Sequence, residues 1–220
     1  LNLRELKTSV LKAFQNDWIL LVVSEIGFNA MTLAVGYAAG LASNSLHLFW
    51  LNLGSAGHRD YLIGTVVLPA KIRNSEERSV FYPTAIIPGT FKRDELISLK
   101  SPNQKYLKNT CFDMEAFAFC NAASRFSIKD YIQVLKIISD NKQNPVSKMK
   151  KGALKSAMSL GLMKTLSILQ KLRTFAEREV AQKESKSMTY SDNELHFSET
   201  QKLQFFRLSS LLHLLDPRFN

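Results

Sequence analysis

Cysteine is almost missing from this 220-residue chain: Cys111 and Cys120 are all there is. Two thiols build no disulfide framework, and they read as reduced, buried side chains of an intracellular protein. Long hydrophobic runs are missing too. The longest, such as Trp18 to Val23, falls far below the roughly 20 residues that span a bilayer. The opening residues alternate charge and apolarity and lack the apolar centre of a secretory signal, so a soluble cytoplasmic protein without a membrane partner is expected. His47, His58, His196 and His213 show no metal-ligand spacing, and neither cysteine adjoins a histidine, so no metal site is expected. There is no Gly-x-Gly-x-x-Gly, phosphate loop or Gly-x-Ser-x-Gly, which speaks against dinucleotide, nucleoside-triphosphatase and serine-hydrolase chemistry. Acidic residues are scarce relative to basic ones, 19 against 29, giving a net charge of +10.

What is present is 45% hydrophobic content, enough for a globular core. Leu1 to Phe14 reads as a short helix. Trp18 to Val23 reads as a strand buried on both faces of a parallel sheet. Ala30 to Leu41 is alanine-rich and helical. Leu46 to Leu53 is apolar and runs into a small-residue turn, Gly54-Ser55-Ala56-Gly57. Gly64 to Leu68 is a strand closed by Pro69. Asn74 to Lys108 reads as loop and edge strand, with Thr84 to Ile87 strand-like. Met114 to Ser124 has helical spacing with Asp113 at the N-cap, and Phe117 and Phe119 pack in the core. Phe91 and Tyr106 read either as base-stacking rings or as loop anchors. Tyr131 to Ile138 is a β-branched strand ending at Ser139-Asp140-Asn141. Strands alternating with helices predict an α/β fold, a mixed but largely parallel sheet flanked by helices.

Beyond Pro145, Met149 to Val180 predicts one long helix, weakened or bent near Gly161. Lys183 to Asn193 reads as a linker, and Phe197 to Leu215 as a further amphipathic helix stopped by Asp216-Pro217. The expected division is an α/β domain over 1–165 and a basic helical extension over 166–220. Its lysines fit a solvated helix face; binding of nucleic acid or an acidic partner is the less favoured alternative.

Three segments carry chemistry in combination: Leu51-Asn52-Leu53-Gly54-Ser55-Ala56-Gly57 followed by Ile63-Gly64-Thr65-Val66-Val67; Phe112-Asp113-Met114-Glu115-Ala116; and Lys136-Ile137-Ile138-Ser139-Asp140. A fourth landmark, Val23-Ser24-Glu25-Ile26-Gly27, lies upstream. In this order and spacing they resemble the nucleoside phosphorylases and methylthioadenosine/S-adenosylhomocysteine nucleosidases. The resemblance implies cleavage of the N-glycosidic bond of a purine nucleoside or 5′-thionucleoside. Asp140 would protonate the base and Ser139 orient it. Glu115 would grip the ribose, Met114 would pack against the sugar, and the backbone of Ser55, Ala56 and Gly57 would approach ribose and base. A proton donor improves the leaving base, and a carboxylate near the ribosyl ring favours its cationic transition state. Taken singly, Glu115 is a charge in a first helical turn and Asp140 a turn residue.

No organic cofactor is implied; inorganic phosphate would be a cosubstrate in a phosphorylase. Relatives self-associate, so a homo-oligomer is expected. The family's usual first strand, with its water-activating glutamate or phosphate-holding glycine loop, has no counterpart after Leu1, which predicts a truncated chain or a lost element. Glu25 and His58 stand where the family usually has glycine. Phosphorolysis and hydrolysis both stay open, as does a catalytically degenerate nucleoside-binding or regulatory module whose basic helices engage a partner.

Overall fold

The computed structural model describes residues 1–7, 10–42, 48–87, 89–102 and 106–185, together with Phe205 and Leu208. Contacts divide the chain into Leu1–Leu169 and Gln170–Asn220. The first unit holds two sheets. Strands β1 (Arg4–Leu6), β2 (Ala13–Gln15) and β3 (Leu20–Val22) form an antiparallel meander in that order. Helix α1 (Phe28–Leu41) follows, then β4 (Trp50–His58), β5 (Val66–Val67), β6 (Lys71–Asn74), β7 (Val80–Phe81), β8 (Glu95–Ser98), β9 (Thr110–Asp113), α2 (Ala116–Ala123) and β10 (Ile132–Asp140). These last seven strands make one mixed sheet in the order β5-β10-β4-β9-β8-β6-β7. The β10–β4, β9–β8 and β8–β6 pairs are parallel; β5, the β4–β9 contact and β7 are antiparallel.

Every residue of β10 is buried, Gln133 and Lys136 included, as expected of a strand covered on both faces. Helix α1 turns Met31, Ala34 and Val35 inward, the i, i+3, i+4 stripe of a core-facing helix. Helix α2 buries Ala116 to Cys120 and Ala123, and the Phe117 and Phe119 rings join the same core as Ile132, Val134 and Ile138. The two thiols are free and buried; burial pushes Cys111 up to about 12 and Cys120 upward as well, which leaves neither as a thiolate nucleophile.

Strand β4 is held unevenly. Along one side it pairs with β10 from Trp50 to Gly57; on the other it meets β9 at Gly57 and His58. Helix α3 (Ala153–Ser185) buries Ala157, Gly161, Thr165 and Ile168, one face at three- and four-residue steps. Gly161 lies so close to β10 that a Cβ there would sit 2.7, 2.9 and 3.0 Å from the Ile137 Cδ1, Cγ1 and Cγ2 atoms. Helix propensity alone favours alanine by about 1 kcal/mol. Overpacking reverses the sign: Gly161→Ala is expected to destabilise the fold by about 1–3 kcal/mol, read from the urea midpoint, and a midpoint that rises contradicts this packing. In the second unit, Arg173 and Glu177 pair at 2.7 Å, one turn apart.

Several sequence expectations are corrected. The described residues between Leu1 and Phe14 are not helical: they contribute to two three-residue strands. The Trp18 to Val23 run does supply a strand, but in the antiparallel meander, where Leu21 and Val23 remain 40% and 47% exposed. Gly54 to Gly57 is no turn; β4 runs straight through it. Thr84 to Ile87 forms no strand, whereas β6, β8 and β9 lie in or beside stretches read as loop or helix cap. The Phe197 to Leu215 helix and most of the linker fall outside the described residues, apart from Phe205 and Leu208, both helical.

Candidate active site

The carboxyl ends of β4 and β10, the β9–α2 junction and the turn at Ser24 to Ile26 line a cavity of about 360 Å³, within the range of small-molecule sites. The residues that the family resemblance singled out line it: Ser55, Ala56 and Gly57 on β4, Met114 and Glu115 at the junction, Ser139 and Asp140 on β10; Phe91 and Tyr106, the candidate stacking rings, do not. Parallel pairing brings them together. Ile137 sits opposite Ser55, and after an irregularity in β10 Asp140 sits opposite Gly57.

Asp140 is buried and gripped on both oxygens. The Ser139 hydroxyl donates to Oδ1 at 2.7 Å and the Tyr106 hydroxyl to Oδ2 at 2.6 Å. Tyr106 in turn accepts the Val146 N–H at 3.2 Å. Burial first, then the hydrogen bond to Asp140, pushes the Tyr106 phenol up to about 12, so it stays a protonated donor at neutral pH. Of the two readings of Tyr106, the loop-anchor role is the one these bonds describe. Gly57 makes room for the cluster: a Cβ there would meet Asp140 Oδ2 at 2.6 Å and Tyr106 Cε1 at 3.2 Å. Gly57→Ala is therefore expected to part the phenol from the carboxylate. The Tyr106 ring-carbon signals of labelled protein should then titrate closer to the ordinary tyrosine value, and an unchanged titration would show that the cluster tolerates the methyl.

Glu115 precedes α2 and reaches across to the start of α1, where its Oε1 accepts the Gly27 N–H at 2.8 Å. Gly27 has a φ of 102°, a left-handed conformation that glycine adopts without strain. The N-cap of α2 is Glu115 and not Asp113, which ends β9 two residues earlier; Asp113 Oδ2 still accepts the Ala116 N–H at 2.8 Å. Its carboxylate also accepts the Ser98 hydroxyl at 2.6 Å and pairs with the Lys136 ammonium at 2.8 Å. The side chains of Lys136 and Asp113 are 2% and 0% exposed. Gly54 lets the lysine lie across β4, since a Cβ there would be 3.0 Å from its Nζ.

Sequence reasoning passed over Tyr106 as an Asp140 partner, and over Lys136 and Asn52 as cavity residues. Lys136 left a signal: one charge inside an otherwise apolar strand implies a buried partner. Asn52 left none, and its Oδ1 is buried without a hydrogen-bond partner. Among the described residues no group of three or more His, Cys, Asp or Glu could hold a metal ion, and no helix is long and apolar enough to cross a membrane.

No protein-family model and no curated protein matches the chain. Solved structures do. An adenine complex of the 5′-methylthioadenosine/S-adenosylhomocysteine nucleosidase from Colwellia psychrerythraea superposes with a TM-score of 0.61 at 16% identity, covering 78% of this chain and 87% of that one. The Neisseria meningitidis nucleosidase with methylthio-immucillin-A gives 0.58 at 13% identity over 78% and 89%. The Streptococcus pneumoniae nucleosidase with a transition-state inhibitor gives 0.60 at 15% over 78% and 90%. On these superpositions the chain has the fold of the 5′-methylthioadenosine/S-adenosylhomocysteine nucleosidases.

Proposed function

We propose that this cavity cleaves the N-glycosidic bond of a purine nucleoside or 5′-thionucleoside, with Asp140 protonating the base and Glu115 holding the ribose. The observation that carries the reading is the meeting of these two carboxylates in one nucleoside-sized cavity, from segments far apart in the chain. Ser139 steadies Asp140, Met114 contributes apolar surface for the sugar, and the backbone of Ser55 to Gly57 faces ribose and base. The adenine and inhibitor complexes of the structural neighbours support a purine ligand.

The finer choice is hydrolysis. Among the described residues, Glu25, Asp113, Glu115 and Asp140 line the cavity against one ammonium, Lys136, and that ammonium already pairs with Asp113. Such a field repels a phosphate dianion and is indifferent to water. The reading treats 1–165 as the catalytic domain, 166–220 as a basic extension and the working form as a soluble homo-oligomer, open to a sedimentation measurement.

Chromatographic assay of base release from a panel of purine nucleosides and 5′-thionucleosides tests this directly. Release without phosphate, unchanged by adding it, is the expected result. Strict phosphate dependence would replace hydrolysis by phosphorolysis. A folded protein that binds nucleosides and releases no base would leave the degenerate binding module in place of the enzyme.

A further inference from the structure

The last residue of β4 is a histidine with no part in the chemistry described so far. His58 is 2% exposed. Its Nδ1 accepts two backbone N–H groups, from Asp60 at 3.1 Å and Tyr61 at 3.0 Å. A nitrogen that accepts twice carries no proton, so the ring is the tautomer whose Nε2–H donates to Asp94 Oδ2, at 3.1 Å. The Tyr61 ring stacks on the imidazole, centroids 3.7 Å apart and planes 14° apart.

The 58–61 turn grips the exit of β10. The Tyr61 carbonyl accepts the Asn141 Nδ2–H at 2.8 Å, and the Arg59 carbonyl accepts the Lys142 N–H at 3.2 Å. Asn141 Oδ1 accepts the N–H groups of Gln143 at 3.1 Å and Asn144 at 2.8 Å, while the Asn141 N–H donates to the Asn144 carbonyl at 3.0 Å. Asn141 is covalently next to Asp140. We propose that His58 is a positioning residue for Asp140: its unprotonated Nδ1 folds the 58–61 turn, and the turn holds Asn141 and so fixes the carboxylate at the end of β10. This rests on the assignment of Asp140 as the acid in the proposed reaction.

Protonation converts the device. A proton on Nδ1 would face two N–H donors and force the turn open. The charged groups around the ring are Asp94 from the segment before β8, Asp60 and Arg59 in the turn, and Lys92; Tyr61 covers one face and Cys111 of β9 is the register partner. Burial lowers the His58 pKa, outweighing Asp94 and Asp60, which raise it. The neutral ring is thus the form present at neutral pH. Its contribution to the folded turn is complete above the ordinary histidine value and is lost as pH falls through the lowered one.

His58→Asn places an amide oxygen near the Nδ1 position; His58→Gln keeps a donor near Nε2 and loses the Nδ1 acceptor. Displacing a reacting group by about 1 Å can slow turnover about 10²-fold. H58Q is therefore expected to lose about that much kcat with KM little changed, while H58N retains most of it. Wild-type kcat should fall reversibly on the acid side, and H58N should lack that limb. A second readout needs no activity: in nitrogen-labelled wild-type protein, the Asp60 and Tyr61 amides and the Asn141 side-chain amide should shift together in one acid titration. Asn141 signals that stay still while Asp60 and Tyr61 move would overturn the coupling. So would H58Q turning over like wild type, or H58N and H58Q failing alike. A wild-type protein that releases no base from any nucleoside would instead defeat the proposed reaction, with the amide titration still deciding whether His58 governs the Asn141 turn.

Discussion

Asp140→Asn is expected to slow base release by about 10²–10⁴-fold, the range that a positioned general acid contributes. The substitution preserves shape. The Ser139 hydroxyl can still donate to the amide oxygen, and the amide nitrogen can face the Tyr106 oxygen in place of the present 2.6 Å bond. What the amide lacks is a transferable proton. A purine nucleoside methylated at nitrogen-7 already bears the positive charge that protonation would supply, so its cleavage should lose far less in the same variant. Glu115→Gln separates the other role. A ribose grip acts on every substrate, so its loss should be similar for ordinary and methylated nucleosides. If Asp140→Asn slows the two substrates equally, Asp140 is not the acid. If it slows neither, the site lies elsewhere.

Lys136→Met should have the largest effect on stability. The ammonium and the Asp113 carboxylate are 2.8 Å apart and almost wholly screened from solvent. Removing one partner of such a pair leaves an uncompensated buried charge, which costs about 3–5 kcal/mol. Asp113 would keep the Ser98 hydroxyl and the Ala116 N–H, enough to hold its position but not to balance its charge. Adding Asp113→Asn to Lys136→Met removes that charge while keeping an acceptor for the Ala116 N–H, and much of the loss should return. Urea melts of the two single variants, the double variant and wild type measure the coupling. A Lys136→Met protein within about 1 kcal/mol of wild type, the scale of an exposed pair, would mean that water reaches the pair in solution.

The parts of the fold that were legible in the sequence share a reason. Strand β10 is mostly apolar, Gln133 and Lys136 excepted before its Ser139-Asp140 end, because both its faces are covered, and α1 and α2 carry small and apolar residues at helical steps. The meander was misread because three-residue strands are too short to establish a period of two, and charges among leucines then resemble a helix. Glycine misled at Gly54 to Gly57. Read as a turn, the segment is a strand stripped of side chains, which lets Lys136 cross Gly54 and lets Asp140 and Tyr106 crowd Gly57, a recognised use of glycine within a strand. The cavity-lining set could be read from motif order because those residues lie on the strands and junctions the motifs mark. The hydrogen bonds of Tyr106 and Asn141 could not, since their partners are 34 and 80 residues away and nothing local specifies them.

The uneven hold on β4 has a consequence for the order in which the molecule assembles. Ser139 and Ala56, which meet across the β10–β4 pair, are 83 residues apart. Closing so long a loop must precede the contacts that reward it. Until β10 arrives, β4 is held in its sheet at Gly57 and His58 alone. On a ribosome the Gly-Ser-Ala-Gly backbone therefore emerges long before the strand that completes it. The cavity is a late product of folding, formed in the same step that adds β10 beside β4.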